Sequence, residues 1–497
     1  MTQSCVTPGL LHFEPPIFEI GATGRTGASL PTLDVPDVDS AAALGNLARR
    51  KPPGLPEVSE VEVVRHFTRL SQWNHSIDLG MYPLGSCTMK YNPKVNEATA
   101  RLPGLAGLHP YQPESQIQGA LELLWELERA LCEISGFART TLQPAAGAHG
   151  ELTGLMLIRA YLTAGGNPRT KVIIPDTAHG TNPASVALNG YKPVSVRTGA
   201  DGVLRPQDIE AVLDEDVAAI MVTNPNTLGI YETHLPVIAK MVHDMGGLVY
   251  MDGANLNAIM GKVKPGEVGV DVMHFNLHKT FSTPHGGGGP GAGPVGVVER
   301  LVPHLPRPTV EKHGDRFSLD FDRPESIGRV RSFYGNFGVL VRAFTYIREL
   351  GGEGLTQATE MAVLNANYIR ARLKDAFPPS HEADTLHETV FTGKPLKKET
   401  GVITMDVAKR LMDHGFHPPT VYFPLIVPEA LMIEPTETEP PEELDRFCDA
   451  ILHIHTEAHE SPETVHAAPL QVGLRRLDET RAARNPRLRW TPTEDSE

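Results

Sequence analysis

The sequence has little cysteine and no long apolar run. Its four cysteines, Cys5, Cys87, Cys132 and Cys448, are scattered over 497 residues and form no C-x-x-C pair. We therefore expect neither a disulfide framework nor a metal site, and a reduced, cytoplasmic setting. No stretch approaches the ~20 apolar residues of a membrane span. The start, MTQSCVTPGLLHFEPP, lacks the basic region and apolar core of a secretory signal.

Basic residues are also in deficit. Lysine and arginine number 45 against 60 aspartates and glutamates, a net charge of −15. That balance disfavours nucleic acid or an anionic membrane as the main partner. The length is enough for two or three domains with a large core.

Changes in composition along the chain predict four regions. Residues 1–95 read as a Gly/Pro-rich arm followed by a helix capped by Ser59. Residues 96–328 alternate strands and helices, which predicts a large α/β domain with parallel strands. Residues 329–460 combine long amphipathic helices with short strand-like pieces, GVITMDV, TVYFPLIV and EALMIEP, and predict a small α+β domain. Residues 461–497 form a basic tail.

The central feature is the stretch 247–291, in which two apolar runs end near Asp252 and Lys279. Parallel strands deliver such residues to the ligand-binding edge of a sheet. Pyridoxal phosphate needs this pair, because the amine forms a Schiff base with its aldehyde and the carboxylate keeps its ring nitrogen protonated. Taken singly, such an aspartate is more often a turn residue and such a lysine a solvated charge.

Two segments could hold the cofactor phosphate. The loop 143–150 opens a helix, so the backbone N–H groups of Gly147, Ala148 and His149 would form an anion site. The Gly-rich run 286–289, with His278 and Thr280 beside Lys279, could also approach a phosphate, although it could be a linker. The string G-x-G-x-x-G at 291–296 is discounted as a dinucleotide motif because it contains Pro294 and leads into a strand.

Further polar residues follow other predicted strands. His179 could lie on an aromatic ring. Thr223, Asn224 and Asn226 follow the strand AAIMV and could reach a cofactor hydroxyl. Lys90, in the loop MYPLGSCTMKYNPK, is a rival to Lys279, although no strand-end carboxylate accompanies it.

Several long motifs, in order, resemble those of the glycine decarboxylase P-protein family of the glycine cleavage system. They are MYPLGSCTMKYNP, QPAAGAHGE, AHGTNPAS, TNPNTLGIYE, MDGANLNAI and NLHKTFSTPHGGGGPG. The resemblance covers roughly residues 60 to 490, and the length is similar to that of the cofactor-carrying half of the two-subunit form. It implies the aspartate aminotransferase superfamily, fold type I, with a large sheet domain and a small C-terminal domain.

The resemblance also implies roles for individual residues. Lys279 would carry pyridoxal phosphate, Asp252 would bind the ring nitrogen, and His179 and Ala254 would contact the ring faces. The phosphate would lie at Gly147, Ala148, His149 and His278, and Asn226 is a weaker candidate for the 3-hydroxyl.

The reaction implied is decarboxylation of glycine, with transfer of the aminomethyl group to the lipoyl disulfide of H-protein and release of CO2. The implied partners are a first subunit, in an α2β2 assembly, and lipoylated H-protein. Two alternatives stay open: another fold type I pyridoxal phosphate enzyme, such as an aminotransferase or amino-acid decarboxylase, or a non-catalytic scaffold subunit. Spacing does not identify the general base.

Overall fold

The computed structural model describes residues 14–51, 53–285 and 291–491. Their contacts divide the chain into two compact units: residues up to 76 together with those from 469 onward, and residues 77–468. Predictions about the first 13 residues of the arm, the Gly-rich run 286–289 and the end of the tail lie outside the described residues. The four sequence-based domain boundaries stay a prediction.

In its described residues the first unit contains the α-helices α1 (Ser40–Leu44), α2 (Glu60–Gln72) and, from the C-terminal segment, a last helix at Glu479–Arg484. Ser59 caps α2 through a reciprocal capping box with Glu62, as its sequence predicts. Inside this unit Glu14 binds His66 at 2.8 Å and Arg69 at 3.1 Å. Much of the arm is exposed, including Leu30 and Leu33.

The second unit is built on strands that form three sheets. In chain order they are β1 (Arg139–Thr141), β2 (Lys171–Pro175), β3 (Lys192–Val196), β4 (Val217–Thr223), β5 (Leu248–Gly253), β6 (Val272–Phe275), β7 (Val295–Val297), β8 (Thr309–His313), β9 (Arg316–Asp320), β10 (Thr389–Thr392), β11 (Thr420–Val421) and β12 (Ala430–Ile433).

Helices cover these sheets. In chain order they are α3 (Lys94–Ala100), α4 (Pro103–Ala106), α5 (Gln118–Ser135), α6 (Gly147–Ala164), α7 (Thr181–Leu188), α8 (Pro206–Glu210), α9 (Leu235–Asp244), α10 (Leu277–Thr280), α11 (Phe337–Leu373), α12 (Lys394–Thr400), α13 (Thr404–Asp413), α14 (Pro441–Glu460) and α15 (Pro462–Ala467). No helix in the described part of the chain is apolar over enough length to cross a bilayer.

The large sheet has the strand order β1-β7-β6-β5-β4-β2-β3. Strands β3, β2, β4, β5 and β6 are parallel, and β7 runs antiparallel to both β6 and β1. Every residue of β4, β5 and β6 is buried, which fits their nearly continuous apolar sequences. Helices α6 and α9 pack on this sheet.

Several helix boundaries follow the sequence signals. Helix α5 ends at Gly136, whose φ of 77° suits a glycine cap. Helix α6 begins at Gly147, inside the loop predicted to open a helix. Gly351 (φ 61°) interrupts α11 with a non-helical conformation that suits glycine.

The C-terminal part differs from expectation in three places. The prediction of a strand at GVITMDV is wrong: α13 begins at Thr404 there, and the Asp406 carboxylate accepts the Ile403 N–H at 3.1 Å, which starts a helix. Strand β10 was not expected, although β12 lies in the predicted piece EALMIEP and pairs with both β10 and β11. The antiparallel hairpin β8–β9, which turns at Gly314 (φ 62°), was not expected either.

Candidate functional site

The site lies at the carboxyl ends of the central parallel strands. In the sheet register Thr223 of β4 stands beside Asp252 of β5, and Asp252 stands beside His274 of β6. Their side chains meet at one edge because parallel strands end together there.

A cavity of about 200 Å³ opens at this edge. Its walls come from the ends of the three strands β4, β5 and β6, from the first two turns of α6 and the start of α7, from α10 and from the loop before α3. The lining residues are Ser86, Gly147, Ala148, Glu151, His179, Thr181, Thr223, Thr227, Asp252, Ala254, His274, Asn276, His278 and Lys279. Asp252 and Lys279 therefore face the same cavity.

Asp252 is a buried, fully hydrogen-bonded carboxylate. Its Oδ1 accepts the Ala254 N–H at 2.9 Å and lies 3.2 Å from His274 Nε2, while Oδ2 accepts Asn182 Nδ2–H at 3.1 Å. Burial alone would raise the pKa of Asp252, but His274, the Ala254 N–H and Lys279 hold it well below its ordinary range. Asp252 is thus a permanent negative charge.

Lys279 lies on the one-turn helix α10 directly after β6, where the sequence suggested a strand end. Its Nζ donates to the Ser86 carbonyl at 2.8 Å. Within the described ranges no carboxylate oxygen lies within 4.0 Å of Nζ, so this amine has a polar neighbour and no ion-pair partner.

The rest of the lysine's surroundings favours an anion. Burial, the neighbouring His285 and Lys279 lower the pKa of His278 to about 3. Burial and Lys279 lower the pKa of His285 to about 4. Both rings are therefore neutral at physiological pH, and they border a positive charge that an anionic ligand would offset.

Helix α6 points its first turn at the same cavity. Its first backbone N–H groups have no carbonyl one turn earlier to accept them, so they favour an anion. Glycine suits position 147, because a Cβ there would displace the Asn276 side chain. The helix start thus brings bare backbone next to the cavity.

Pyridoxal phosphate fits this set of residues. The cavity offers an amine, a permanent carboxylate, a helix N-terminus and neutral histidines, which match its aldehyde, ring nitrogen and phosphate. In the described residues the Thr223 hydroxyl, Asn182 Oδ1 and His278 Nδ1 are shielded from solvent without a hydrogen-bond partner. Such groups are costly unless a ligand completes them.

The structure does not bring every candidate to the cavity. The Asn226 side chain makes its hydrogen bonds to nearby protein groups. Its Nδ2 donates to Gly202 O and Glu232 Oε1, both at 2.8 Å, and its Oδ1 accepts the Leu228 N–H at 3.0 Å. Local hydrogen bonds of this kind hold a turn together, and Asn226 does not line the cavity.

Two of the phosphate candidates, His149 and Thr280, do not line the cavity. His149 does not line the cavity; its Nδ1 accepts the Ala145 N–H at 3.1 Å and closes the loop before α6. Thr280 is buried beside the cavity but is not part of its wall, and its carbonyl accepts Lys90 Nζ at 2.9 Å. Gly147, Ala148 and His278 remain at the wall, as do His179 and Ala254.

Sequence reasoning missed several wall residues. His274 lies in an apolar strand, where a single histidine reads as a packed core residue. Glu151 directly follows the predicted phosphate loop, and this position is the only feature of the sequence that places it near the cavity. Ser86 belongs to the loop MYPLGSCTMKYNPK, in which only Lys90 was singled out, and its contact with Lys279 spans 193 positions.

Buried glutamates fix the loop that carries Ser86. Glu388 accepts the Ser86 N–H at 2.8 Å, and Glu434 accepts the Thr88 N–H at 2.9 Å. Ser86 and Thr88 have positive φ values of 65° and 48°, conformations that need such external support. Burial and the adjacent Glu434 raise the pKa of Glu388 well above its ordinary value, so a neutral carboxyl stands behind Ser86.

Comparison with known families decides between the open readings. The model of the glycine cleavage system P-protein family matches residues 35–316, more than half of the chain, and the glycine dehydrogenase C-terminal domain model matches residues 358–471. The chain belongs to the glycine cleavage system P-protein family. The resemblance seen in the motifs is thereby confirmed.

Two relatives in this P-protein family, each aligned over nearly all of its length, share the same description. A protein of Halalkalibacterium halodurans is 57% identical over 476 residues, 95% of this chain and 97% of the relative. One from Caldanaerobacter subterraneus subsp. tengcongensis is 55% identical over 484 residues, 97% of this chain and all of the relative. Both are described as probable glycine dehydrogenase (decarboxylating) subunit 2.

Solved structures confirm the expected fold. An inhibitor-bound glycine decarboxylase P-protein aligns with a TM-score of 0.70 at 21% identity, covering 83% of this chain and 94% of that one. The Escherichia coli cysteine desulfurase CsdA aligns at 0.59 with 14% identity, covering 78% and 97%. An aspartate aminotransferase from Thermus thermophilus aligns at 0.55 with 13% identity, covering 76% and 99%. The P-protein chain thus has the fold type I architecture of pyridoxal phosphate enzymes.

Proposed function

We propose that this chain is the pyridoxal phosphate-carrying subunit of a two-subunit glycine dehydrogenase (decarboxylating). It would decarboxylate glycine and pass the aminomethyl group to the lipoyl cofactor of H-protein, with release of CO2. The observation that supports this most strongly is the shared cavity of Lys279 and Asp252 in a chain of the P-protein family.

The cofactor's contribution is general to its chemistry. Bound pyridoxal phosphate supplies an aldehyde that condenses with amines and a ring that, protonated at nitrogen, withdraws electrons from a substrate carbon. Lys279 would hold the aldehyde carbon and Asp252 the ring nitrogen. Gly147, Ala148 and His278 would bind the phosphate, while His179 and Ala254 would contact the ring.

Asp252 is suited to keep a proton on the ring nitrogen. Its pKa is held low, so the carboxylate attracts and retains a neighbouring N–H rather than taking its proton. His274, Asn182 and the Ala254 N–H fix its position through three contacts of 2.9 to 3.2 Å. A carboxylate so held needs no reorganisation during the reaction.

Lys279 is suited to anchor the cofactor, because it faces the cavity without an ion-pair partner among the described residues. Only a neutral amine is a nucleophile, and no carboxylate within 4.0 Å in the described chain holds its charge. The Ser86 carbonyl orients the amine through one hydrogen bond of 2.8 Å. The fixed loop behind Ser86 keeps that acceptor in place when the amine leaves it.

The proposal includes two protein partners. The description of the relatives as subunit 2 indicates a first subunit, and we propose an α2β2 assembly with it. The exposed apolar side chains of the arm, such as Leu30, Leu33 and Leu47, suit burial against a neighbouring chain. Lipoylated H-protein would bring its disulfide to the cavity mouth.

An absorbance spectrum is the first test. Purified protein mixed with pyridoxal phosphate should develop a near-visible band that borohydride removes, and Lys279→Ala should lack that band. Replacement of an exposed lysine, Lys398→Ala, serves as the lysine control and should keep the band. A colourless wild-type protein would contradict cofactor binding and favour a scaffold subunit.

Isotope exchange is the second test and separates related enzymes. With the first subunit and lipoylated H-protein present, wild-type protein should exchange labelled bicarbonate into the glycine carboxyl group. An aminotransferase would instead release a keto acid from an amino acid without H-protein. Absence of exchange in a coloured, assembled enzyme would contradict the proposed reaction.

A further inference from the structure

A second carboxylate beside the cavity has no role in the function proposed above. Glu151, in the second turn of α6, is 3% exposed. Within the described residues no lysine, arginine or histidine nitrogen lies within 4.0 Å of its carboxylate, although its nearest oxygen is within 4.8 Å of Asp252 and His274 atoms. A buried carboxylate without a cation is costly, so its retention beside a reactive cavity calls for an explanation.

Two hydroxyl groups satisfy this carboxylate. Thr181 Oγ1 lies 2.7 Å from Glu151 Oε1, and Ser185 Oγ lies 2.8 Å from Oε2. Both donors come from α7, which packs against α6. Of the two, Thr181 lines the cavity together with Glu151.

Thr181 continues the chain of hydrogen bonds to His179. The His179 Nδ1 atom lies 2.9 Å from Thr181 Oγ1, and His179 lines the cavity. The three side chains form a continuous path from a buried carboxylate to an imidazole. The path is 2.7 Å and 2.9 Å in its two steps, both within ordinary hydrogen-bond distance.

The single hydroxyl proton of Thr181 decides which way this path is polarised. When Glu151 is ionised, it can only accept, so Thr181 donates to it and His179 Nδ1–H donates to Thr181. His179 Nε2 then carries a lone pair. When Glu151 is protonated, both hydrogen bonds reverse and Nε2 carries the proton. The backbone N–H of Thr181 also donates to His179 Nδ1, at a longer 3.3 Å, and this hydrogen bond favours the second state.

We propose that Glu151, Thr181 and His179 form a proton relay that makes His179 the base for the incoming amine substrate. This inference rests on the proposed function, because it assigns the residue that would take a proton from the substrate ammonium and so make its nitrogen a nucleophile. Glu151 acts through the other two residues and is therefore a positioning residue.

The proton transfer balances without another reactant. A substrate ammonium proton moves to His179 Nε2, the Nδ1 proton moves to Thr181 Oγ1, and the Thr181 hydroxyl proton moves to Glu151 Oε1. The ammonium loses its positive charge and Glu151 loses its negative charge, while the histidine ring stays neutral and changes tautomer. Asp252 cannot replace Glu151 in this role, because His274 and Lys279 hold it as a carboxylate.

The relay predicts a tautomer that can be measured without cofactor or activity. Cofactor-free protein with ¹⁵N-labelled histidine, at alkaline pH where imidazole is neutral, should show His179 protonated at Nδ1, with the signal assigned by its loss in His179→Asn. Thr181→Val keeps the shape but removes the hydroxyl, and should shift the proton to Nε2. Thr181→Ser should keep the wild-type tautomer, as should Ser185→Ala, which removes a hydroxyl outside the path.

Rate measurements test the same path in the assembled enzyme. Thr181→Val should lower glycine–bicarbonate exchange about 10²-fold, the lower range for loss of acid–base assistance. Thr181→Ser should recover most of that loss. If Thr181 had only a structural role, the loss and recovery of activity in these two variants would not follow the tautomer of His179.

The outcomes separate the relay from the proposed function. A proton on Nε2 in the wild-type protein overturns the relay, even if exchange activity is present and even if Thr181→Val does not fold. The same tautomer in wild type and Thr181→Val also overturns it. A wild-type enzyme without exchange activity contradicts the proposed function, while a tautomer shift in Thr181→Val would still support the path from Glu151 to His179.

Discussion

Two lysines, Lys90 and Lys279, have opposite surroundings. Lys90 is fully buried, with Nζ 2.6 Å from Glu437 Oε1 and 2.9 Å from the Thr280 carbonyl. Lys279 faces the cavity and donates to a single carbonyl, that of Ser86. The sequence shows two lysines in polar, Gly-rich surroundings, whereas the structure shows one fixed cation and one amine with no paired carboxylate.

This difference in surroundings identifies Lys279 as the lysine that can react. Burial alone would lower the pKa of Lys90, but Glu437 and Tyr346 raise it above its ordinary value, so this amine stays protonated. The charge of Lys279 instead helps to lower the pKa values of His278 and His285. Among the described side chains, no carboxylate forms an ion pair with Lys279. A nucleophilic amine requires the second environment, and a structural ion pair requires the first.

The largest expected effect is on activity, from Lys279→Ala. We expect glycine–bicarbonate exchange to fall to background, because the covalent anchor of the cofactor is lost. The unfolding midpoint of the cofactor-free protein should stay unchanged or rise, since no ion pair is broken. Activity assays and thermal unfolding check the two halves of this prediction, and full activity in the variant would contradict the role of Lys279.

Lys90→Met should show the reverse pattern. Removing one partner of a buried pair leaves Glu437 without its counter-charge, which should cost about 3–5 kcal/mol of stability. Denaturant unfolding of cofactor-free protein measures this loss, with Lys279→Ala as the matched control. The double variant Lys90→Met/Glu437→Gln should recover part of it. An unchanged midpoint in Lys90→Met would remove the contrast between the two lysines.

Asp252→Asn tests the negative charge that accompanies Lys279 in its cavity. The amide keeps the shape but does not retain a proton on the ring nitrogen, so exchange should fall about 10³-fold. The exposed Asp322→Asn is the matched control and should behave as wild type. Wild-type exchange in Asp252→Asn would show that the cavity does not depend on this carboxylate.

The sequence predicts the site residues that local patterns place, and it does not predict those placed by contacts between distant parts of the chain. Asp252 and Lys279 could be found because each follows an apolar strand, and parallel strands end at one edge. The Gly147 helix start was visible from a local pattern as well. Asn226 misled because a side chain that follows a strand can either face a ligand or hold its own turn, and local sequence does not distinguish the two.

The missed residues depend on contacts between distant parts of the chain. Ser86 and Glu388, which together hold the acceptor of Lys279, are 302 positions apart. Thr181 meets Glu151 only because α7 packs on α6. The fold class was predictable from alternating strands and helices, but β10 and the β8–β9 hairpin are short, and their flanking sequences are too polar to stand out.

The smallest expected effect concerns stability in acid, and it tests the positive surroundings of Lys279. The pKa of folded His278 is lowered to about 3, whereas an unfolded histidine titrates near 6.5, so between these values the unfolded chain binds one more proton. Stability should therefore fall as pH drops, by about 1.4 kcal/mol for each pH unit between pH 6 and pH 4. His278→Gln should remove this share of the loss in cofactor-free protein, as measured by urea unfolding at both pH values. Replacement of the exposed His313 should leave the slope unchanged; equal slopes in wild type and His278→Gln would show that the ring beside Lys279 is not held neutral.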